Sequence, residues 1–288
     1  MDGIITKGIG GFYYVKTADK REYECKARGI FRKAHIVPTI GDRVRLESLS
    51  DGKGAITEIY ERSSYLNRPP VANVDAMVFV AAAASPEPNI FLLDKMLVNA
   101  EISGIRPILC INKTDLCERS DIENIYRTAG YEVIKASAQC GTGIEELRSV
   151  LKGRVTAFAG LSGVGKSSLL SLITNKSIET GAVSEKISRG RHTTRHVELF
   201  ELNNGFVLDT PGFSSLEIEG IRADELYRYF PEMSEANGEC RFRGCSHINE
   251  PDCAVKALIK SGKLAQSRYD SYAEIYGKLK LVKEWETK

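Results

Sequence analysis

Hydrophobic and polar positions divide the chain into three stretches of different rhythm. Up to about residue 65, short runs alternate or concentrate β-forming residues: GGFYYVK, REYECKA, DRVRLES and GAITEIYE. The turn-forming stretches TADK, TIGD and SDGKG separate them. Short strands at this spacing predict a small barrel or sandwich. Two prolines in NRPP, Asn67 to Pro70, mark a joint. Beyond it, VDAMVFVAAA is a buried-strand run, and FLLDKMLVNAEIS carries Leu92, Leu93, Met96, Leu97 and Ala100 at helical spacing. RPILCIN, YEVIKAS and VTAFAG read as strands, and DIENIYRTAG, GIEELRSVL and KSSLLSLIT as helices. This alternation predicts a parallel sheet with helices on both faces. HVELFEL and GFVLDT read as a β-pair. After about Gly220 the chain becomes helical and polar, with a knot of Cys and His in its middle. The expected domains are 1–65, 66–218 and 219–288.

Composition narrows this picture only slightly. With 288 residues, 42% hydrophobic and 27% charged, the chain is long enough for two or three ordinary folded domains. A net charge of +2 does not by itself announce a nucleic-acid partner. No apolar run approaches the ~20 residues that span a bilayer, and MDGIITKGIG has neither the basic nor the apolar region of a signal peptide. A cytoplasmic monomer without membrane attachment is expected. Seven Cys is an odd number, which argues against a disulfide framework. Four of them, Cys25, Cys110, Cys117 and Cys140, are scattered and read as small apolar or loop residues.

The chemistry begins with GLSGVGKS, which matches the phosphate-loop pattern G-x-x-x-x-G-K-[ST]. It lies between a predicted strand and a predicted helix. Gly160, Gly163 and Gly165 let backbone N–H groups approach phosphate oxygens. Lys166 offers a point charge to the β- and γ-phosphates, and Ser167 offers its hydroxyl to Mg²⁺. Leu161, Ser162, Val164 and Ser168 complete the candidate loop. This motif alone does not separate ATP from GTP. ILCINKTDL supplies the discrimination. Asp115 can accept two hydrogen bonds from a donor pair that guanine has and adenine lacks. Asn112 can brace the loop against the phosphate loop, Lys113 can lay its stem along the base, and Thr114 completes the motif. Ser137 and Ala138 in KASAQ resemble a loop that meets the guanine 6-oxygen through backbone N–H. In FVLDTPG, Asp209 can hold Mg²⁺ through water and Gly212 can offer its N–H to the γ-phosphate. In SRGRHTTRH, Thr194, or less favourably Thr193, is placed to complete the Mg²⁺ shell.

In an ordinary GTPase the phosphate loop precedes the guanine loop. Here NKTD stands some fifty residues before GLSGVGKS. Circular permutation accounts for every piece. The old ends are joined through GTGIEELRSVLKGR, and the new break falls after DTPG. This order of motifs, with a β-rich stretch before and a Cys/His cluster after, resembles the circularly permuted GTPases of the RsgA family, which assemble the bacterial small ribosomal subunit. The resemblance covers essentially the whole chain. It implies a multidomain α/β protein: an N-terminal OB-fold β-barrel, a circularly permuted P-loop GTPase domain and a C-terminal helical zinc-binding domain. It also implies GTP hydrolysis stimulated by the small subunit.

CRFRGCSHINEPDC places Cys240, Cys245, His247 and Cys253 at C-x4-C-x-H-x5-C, a donor set suited to one structural, tetrahedral Zn²⁺ with no open position. Phe213 stands where many GTPases carry a water-orienting Gln. An apolar side chain cannot do that work, so His192, and after it His196, are the candidates in the switch region. Potassium-using relatives usually carry Asn where this chain has Gly163. In the N-terminal stretch Phe12, Tyr13, Tyr14 and Tyr23 lie among Lys16, Lys20, Arg21 and Lys26, which fits either an RNA platform or a barrel core with a charged face. Arg28, Arg32 and Lys33, on an expected loop, are the candidate phosphate contacts to ribosomal RNA. A scaffold that binds RNA and holds nucleotide without turnover is the rival reading. The set Lys166, Ser167, Thr194 and Asp209 favours hydrolysis. A GTP-dependent kinase fits the GRHTT and DTPG pair poorly.

Overall fold

The structure is a computed structural model that describes residues 1–33, 35–50, 52–174, 197–202, 204–210, 213, 217–236 and 238–281, without the side chains of Arg32 and Lys33. His192, Thr193, Thr194, His196 and Gly212 lie outside the described residues. The chain divides into two compact units, neither continuous in sequence: 1–77 with 144–159 and 166–213, and 78–143 with 160–165 and 214–288.

The first unit begins with a closed barrel. Its strands are β1 (Asp2–Ile9), β2 (Phe12–Thr17), β3 (Glu22–Ala27), β4 (Arg43–Ser50) and β5 (Lys53–Ile59), in the order β1-β2-β3-β5-β4. Antiparallel pairing of Gly3 with Val44 closes it. Inward positions Ile5, Val15, Tyr23, Cys25, Val44, Leu46 and Ile56 fill the interior. Of the four aromatics, Tyr23 is therefore core. Tyr14 donates its hydroxyl to Glu24 Oε2 at 3.2 Å, and Lys26 Nζ stands 4.9 Å over the Phe12 ring. The expected loop at Arg28–Lys33 is instead the short helix α1 (Gly29–Lys33), because Phe31 buries itself under the barrel. NRPP is the turn of a small hairpin, β6 (Tyr65–Asn67) with β7 (Pro70–Ala72).

The α/β part contains β8 (Ala76–Ala82), β9 (Arg106–Asn112), β10 (Glu132–Lys135), β11 (Val155–Ala159), β12 (Phe200–Leu202) and β13 (Gly205–Asp209), with the neighbours β10-β9-β8 in the second unit and β11-β13-β12 in the first. β9 with β10, and β11 with β13, are parallel, while β12 with β13 is antiparallel. Every residue of β8 and β11 is buried, as parallel strands covered on both faces require. The helices α2 (Ile90–Ile102), α3 (Ser120–Thr128), α4 (Ile144–Leu151) and α5 (Lys166–Thr174) fall where the periodicity places them. Asn89 caps α2 by accepting the Leu92 N–H at 3.0 Å.

In the second unit a 3-10 helix (Ala223–Tyr229), α6 (Pro231–Ala236), α7 (Ala254–Lys260) and α8 (Gln266–Leu281) pack around Leu226, Phe230, Met233, Val255, Tyr272 and Ile275, with Val98 of α2 in the same core. A buried ion cluster fastens α8 to α2. Arg268 donates from Nε and Nη2 to the two carboxylate oxygens of Glu232, at 2.7 and 2.9 Å, and from Nη1 to Asp94 Oδ1 at 2.8 Å. Tyr126 adds its hydroxyl to Asp94 Oδ1 at 3.0 Å. The guanidinium also faces the rings of Phe230, Tyr131 and Tyr126. No helix among the described residues is long and apolar enough to cross a membrane.

Candidate functional site

The end of β9 delivers Asn112, 1% exposed, into the middle of three loops. Its Nδ2 donates to Val164 O at 2.9 Å, and its Oδ1 accepts the Ala138 N–H at 3.1 Å. One amide thus joins NKTD to both the phosphate loop and KASAQ. The joint is tight. Gly165 has φ +94°, and a Cβ there would collide with Asn112 Nδ2. Gly160 runs against Val80 O so closely that a Cβ would strike that carbonyl. Two glycines of the phosphate motif are therefore required by close packing as well as by access for phosphate.

Lys113 has φ +63°. Its ammonium donates to Gly163 O at 2.7 Å and to Ser85 O. Thr114 donates from its hydroxyl to Ala136 O at 3.0 Å and from its N–H to the same oxygen at 3.2 Å. Asp115 is exposed, and one of its carboxylate oxygens accepts the Ser137 hydroxyl at 2.5 Å. That bond engages one oxygen and helps to orient the carboxylate. The N–H groups of Ser137 and Ala138 are both engaged within the protein, with Thr142 O at 3.0 Å and Asn112 Oδ1 at 3.1 Å. Val164 is buried, Leu161 half-buried, and Ser162 exposed.

In the first unit, α5 opens with Lys166, and Ser167 and Ser168 follow in its first turn. β13 ends at Asp209. Burial pushes the Lys166 ammonium below its ordinary pKa, and Asp209 opposes that shift. Burial likewise pushes the Asp209 carboxyl up, opposed by Lys166 and by the Thr210 N–H. Asp209 Oδ1 is buried without a partner among the described residues. An unpaired buried carboxylate oxygen is costly, and a hydrated Mg²⁺ would supply the donor it lacks. Thr210 is fixed by its N–H and its hydroxyl, both bonded to Phe158 O at 2.9 Å. Phe213 is 1% exposed, so its side chain is core.

The four expected zinc ligands come together. Their donor atoms all lie within 4.8 Å of one another. Tetrahedral ligation with Zn–S of about 2.3 Å and Zn–N of about 2.0 Å puts donor atoms about 3.5–3.8 Å apart. His247 Nδ1 stands 3.6 Å from Cys240 Sγ and 3.4 Å from Cys253 Sγ, and those sulfurs are 4.0 Å apart. Burial pushes the Cys245 thiol up to about 12, so a cation is what would hold it as thiolate. The donor set fits zinc. Around it, Glu250 accepts from Ser246 N–H and hydroxyl, Ile248 N–H and Asn249 N–H. Although burial opposes it, these bonds hold the Glu250 carboxyl at about 2. Tyr269 and Tyr272 donate to the carbonyls of His247 and Ser246, each at 2.8 Å.

With this geometry in view, comparisons with known proteins are specific. Residues 59–219 match the family model of the RsgA GTPase, and residues 2–56 that of the RsgA N-terminal domain. The chain belongs to the RsgA family of GTPases. Among its RsgA relatives, the "Small ribosomal subunit biogenesis GTPase RsgA" of Caldanaerobacter subterraneus subsp. tengcongensis is 49% identical over 99% of this chain and 97% of the relative. The protein of the same name from Alkaliphilus metalliredigens is 46% identical over 96% and 97%. Two solved structures share the fold. YloQ, described as a circularly permuted GTPase, gives a TM-score of 0.82 at 41% identity, covering 97% of this chain and 94% of that one. YjeQ from Thermotoga maritima gives 0.83 at 35%, covering 98% and 99%. The fold class expected from the motif order, a closed barrel followed by a permuted GTPase and a Cys₃His cluster, is the one observed, and like its RsgA relatives the chain is a GTP hydrolase.

Among the RNA-contact candidates, Arg28 pairs with Glu47 at 2.5 Å on the barrel surface. The Arg32 and Lys33 side chains lie outside the described set. Sequence reasoning missed Ser85, whose carbonyl meets Lys113, and Arg119, which holds the segment around it. Neither lies in a motif.

Proposed function

We propose that this GTPase acts in the late assembly of the small ribosomal subunit, with hydrolysis stimulated by the subunit and coupled to release. The observation that carries the reading is the Asn112 amide, which joins the base loop to the phosphate loop although the chain meets them in permuted order. The names of the relatives add the subunit. The working division is an RNA-binding barrel at 1–65, a GTPase domain at 66–218 and a zinc-binding helical domain at 219–288.

In this reading the Asp115 carboxylate, oriented by Ser137, accepts from guanine. Lys113 supports the base face. Ser137 and Ala138 form the loop beside the guanine 6-oxygen, with their own N–H groups bonded internally. The N–H groups of Gly160–Gly165 and the start of α5 receive the phosphates, and Lys166 neutralises the β- and γ-oxygens. Mg²⁺ would be held by Ser167 and Thr194 directly and by Asp209 through water, and it supplies charge neutralisation of the triphosphate. Gly212 N–H meets the γ-phosphate. His192 orients the attacking water, because Phe213 is core and cannot. One zinc ion is held by Cys240, Cys245, His247 and Cys253 and has a structural role. Arg28, Arg32 and Lys33 meet ribosomal RNA, and the protein works as a cytoplasmic monomer.

Phosphate release measured with and without purified small subunits tests the reading. GTP turnover that rises with subunits is expected, and equal rates would sink the subunit assignment. Asp115→Asn tests the base loop. It should shift preference from guanine to xanthine nucleotides, because the amide would set a donor against a donor. Undiminished GTP binding would overturn the assignment.

A further inference from the structure

Between β8 and α2 runs a short segment, Ala83–Glu87, that belongs to no nucleotide motif. It is held at Ala83, Ser85 and Glu87. Ala83 N–H donates to Asn112 O at 2.7 Å. Ser85, with φ +49°, offers its carbonyl to Lys113 Nζ. Arg119 Nη1 donates to Ala83 O at 3.2 Å and to Glu87 Oε2 at 2.9 Å. The same guanidinium is fixed on its other side by Asp121, each of whose carboxylate oxygens accepts at 3.0 Å. The Arg119 side chain is only 20% exposed. Pro86 lies beside Gly163 and helps line the small cavity that also borders Leu161 and Val164.

We infer that Arg119 is a positioning residue for the guanine nucleotide, acting through Ser85 and Lys113. Lys113 has an ammonium with two carbonyl acceptors, Gly163 O and Ser85 O. The first belongs to the phosphate loop and is fixed by it. The second stands on the Ala83–Glu87 segment, and that segment is fastened on both sides of Ser85 by a single guanidinium. Where Ser85 O sits decides where the Lys113 stem lies, and the stem is the surface on which the base rests. Arg119 therefore sets how long the nucleotide stays without touching it. Its planar fork is suited to this, since it serves three acceptor groups at once, which an ammonium on a flexible stem does poorly. The inference rests on Asn112–Asp115 being the base loop.

The test is release of a fluorescent GDP analogue from the full-length protein. Arg119→Ala should release it about tenfold faster, the order expected when a hydrogen bond to a charged group is lost. In steady state the loss should fall on KM for GTP rather than on kcat, because the phosphate loop and Asp209 are not involved. Glu87→Gln, on an exposed loop, takes the charge from the Glu87 arm of the clamp while the bond to Ala83 O remains, and should quicken release in the same direction, about threefold. In a Lys113→Ala background, Arg119→Ala should add less than twofold, since its path runs through Lys113. Release unchanged in both Arg119→Ala and Glu87→Gln overturns the inference. So does a full tenfold effect that persists without Lys113. Failure of the base-loop reading is distinguishable, because Asp115→Asn would then leave guanine preference intact. A normal switch to xanthine with unaltered release in Arg119→Ala would remove this inference alone.

Discussion

Arg268→Ala strikes the centre of a buried ion cluster. The side chain is fully buried, with three charge-assisted hydrogen bonds to two buried carboxylates. Removing it leaves Asp94 and Glu232 without their counter-charge, and breaking such a pair costs about 3–5 kcal/mol. At roughly 2–4 °C per kcal/mol for domains of this size, the melting temperature should fall by roughly 6–20 °C. Thermal melting followed by far-ultraviolet circular dichroism measures the shift, and urea denaturation the free-energy loss. Asp94→Asn should cost far less, about 1 kcal/mol, because it removes a charge while keeping the hydrogen-bonding shape. The pH dependence gives a second check. Burial raises the Asp94 carboxyl above its ordinary value, and Arg268 opposes that rise. A carboxyl raised in the folded state favours folding below its unfolded pKa and loses that contribution as pH rises through the folded value. Without Arg268 the rise is larger, so the variant should be least stable relative to wild type near neutrality, and the gap should narrow toward pH 4. A loss below 1 kcal/mol, or a gap independent of pH, would refute the claim that this cluster is a desolvated ion network.

Elemental analysis should find about one zinc per chain, and a strong chelator should unfold the region around α7 and α8, since structural zinc contributes roughly 10–16 kcal/mol to such loops. A metal-free protein with intact helical signal would exclude the zinc assignment. His192→Ala should still bind GTP but lose most of its subunit-stimulated hydrolysis, and it should remain on small subunits in co-sedimentation with GTP. Normal stimulated turnover would move the water-orienting role to His196 or to RNA.

Much of the candidate site is legible in the sequence because its parts are local. Asn112 and Asp209 end strands, Lys166 opens a helix and Asp115 follows in the loop just after β9, and strand runs such as VTAFA announce themselves by composition. The Cys₃His cluster was legible because four donors within fourteen residues have few alternatives. What escaped the sequence is non-local. Asp94 sits on the buried face of α2 between Leu93 and Met96, where periodicity expects only apolar residues. Its partner stands 174 positions later. α1 was hidden because five residues carry too little pattern for a helix, and it forms through Phe31 and the barrel. β1 was missed because glycines and threonine interrupt its apolar positions, and pairing with both β2 and β4 makes the strand.

The same cluster ties the C-terminal helices to α2. From the sequence, the C-terminal domain hangs from the second switch through FSSLEIEGI and moves with whatever that segment does. In the fold it is also fastened to α2, by Arg268 on Asp94 and by Val98 in the shared core. The connecting segment meets α2 as well, where Glu217 pairs with Lys95 at 2.7 Å. α2 begins just past Ser85, the residue that meets Lys113. The C-terminal helices are therefore fixed to α2 by a buried ion pair and a shared apolar core, and not by the connecting segment alone.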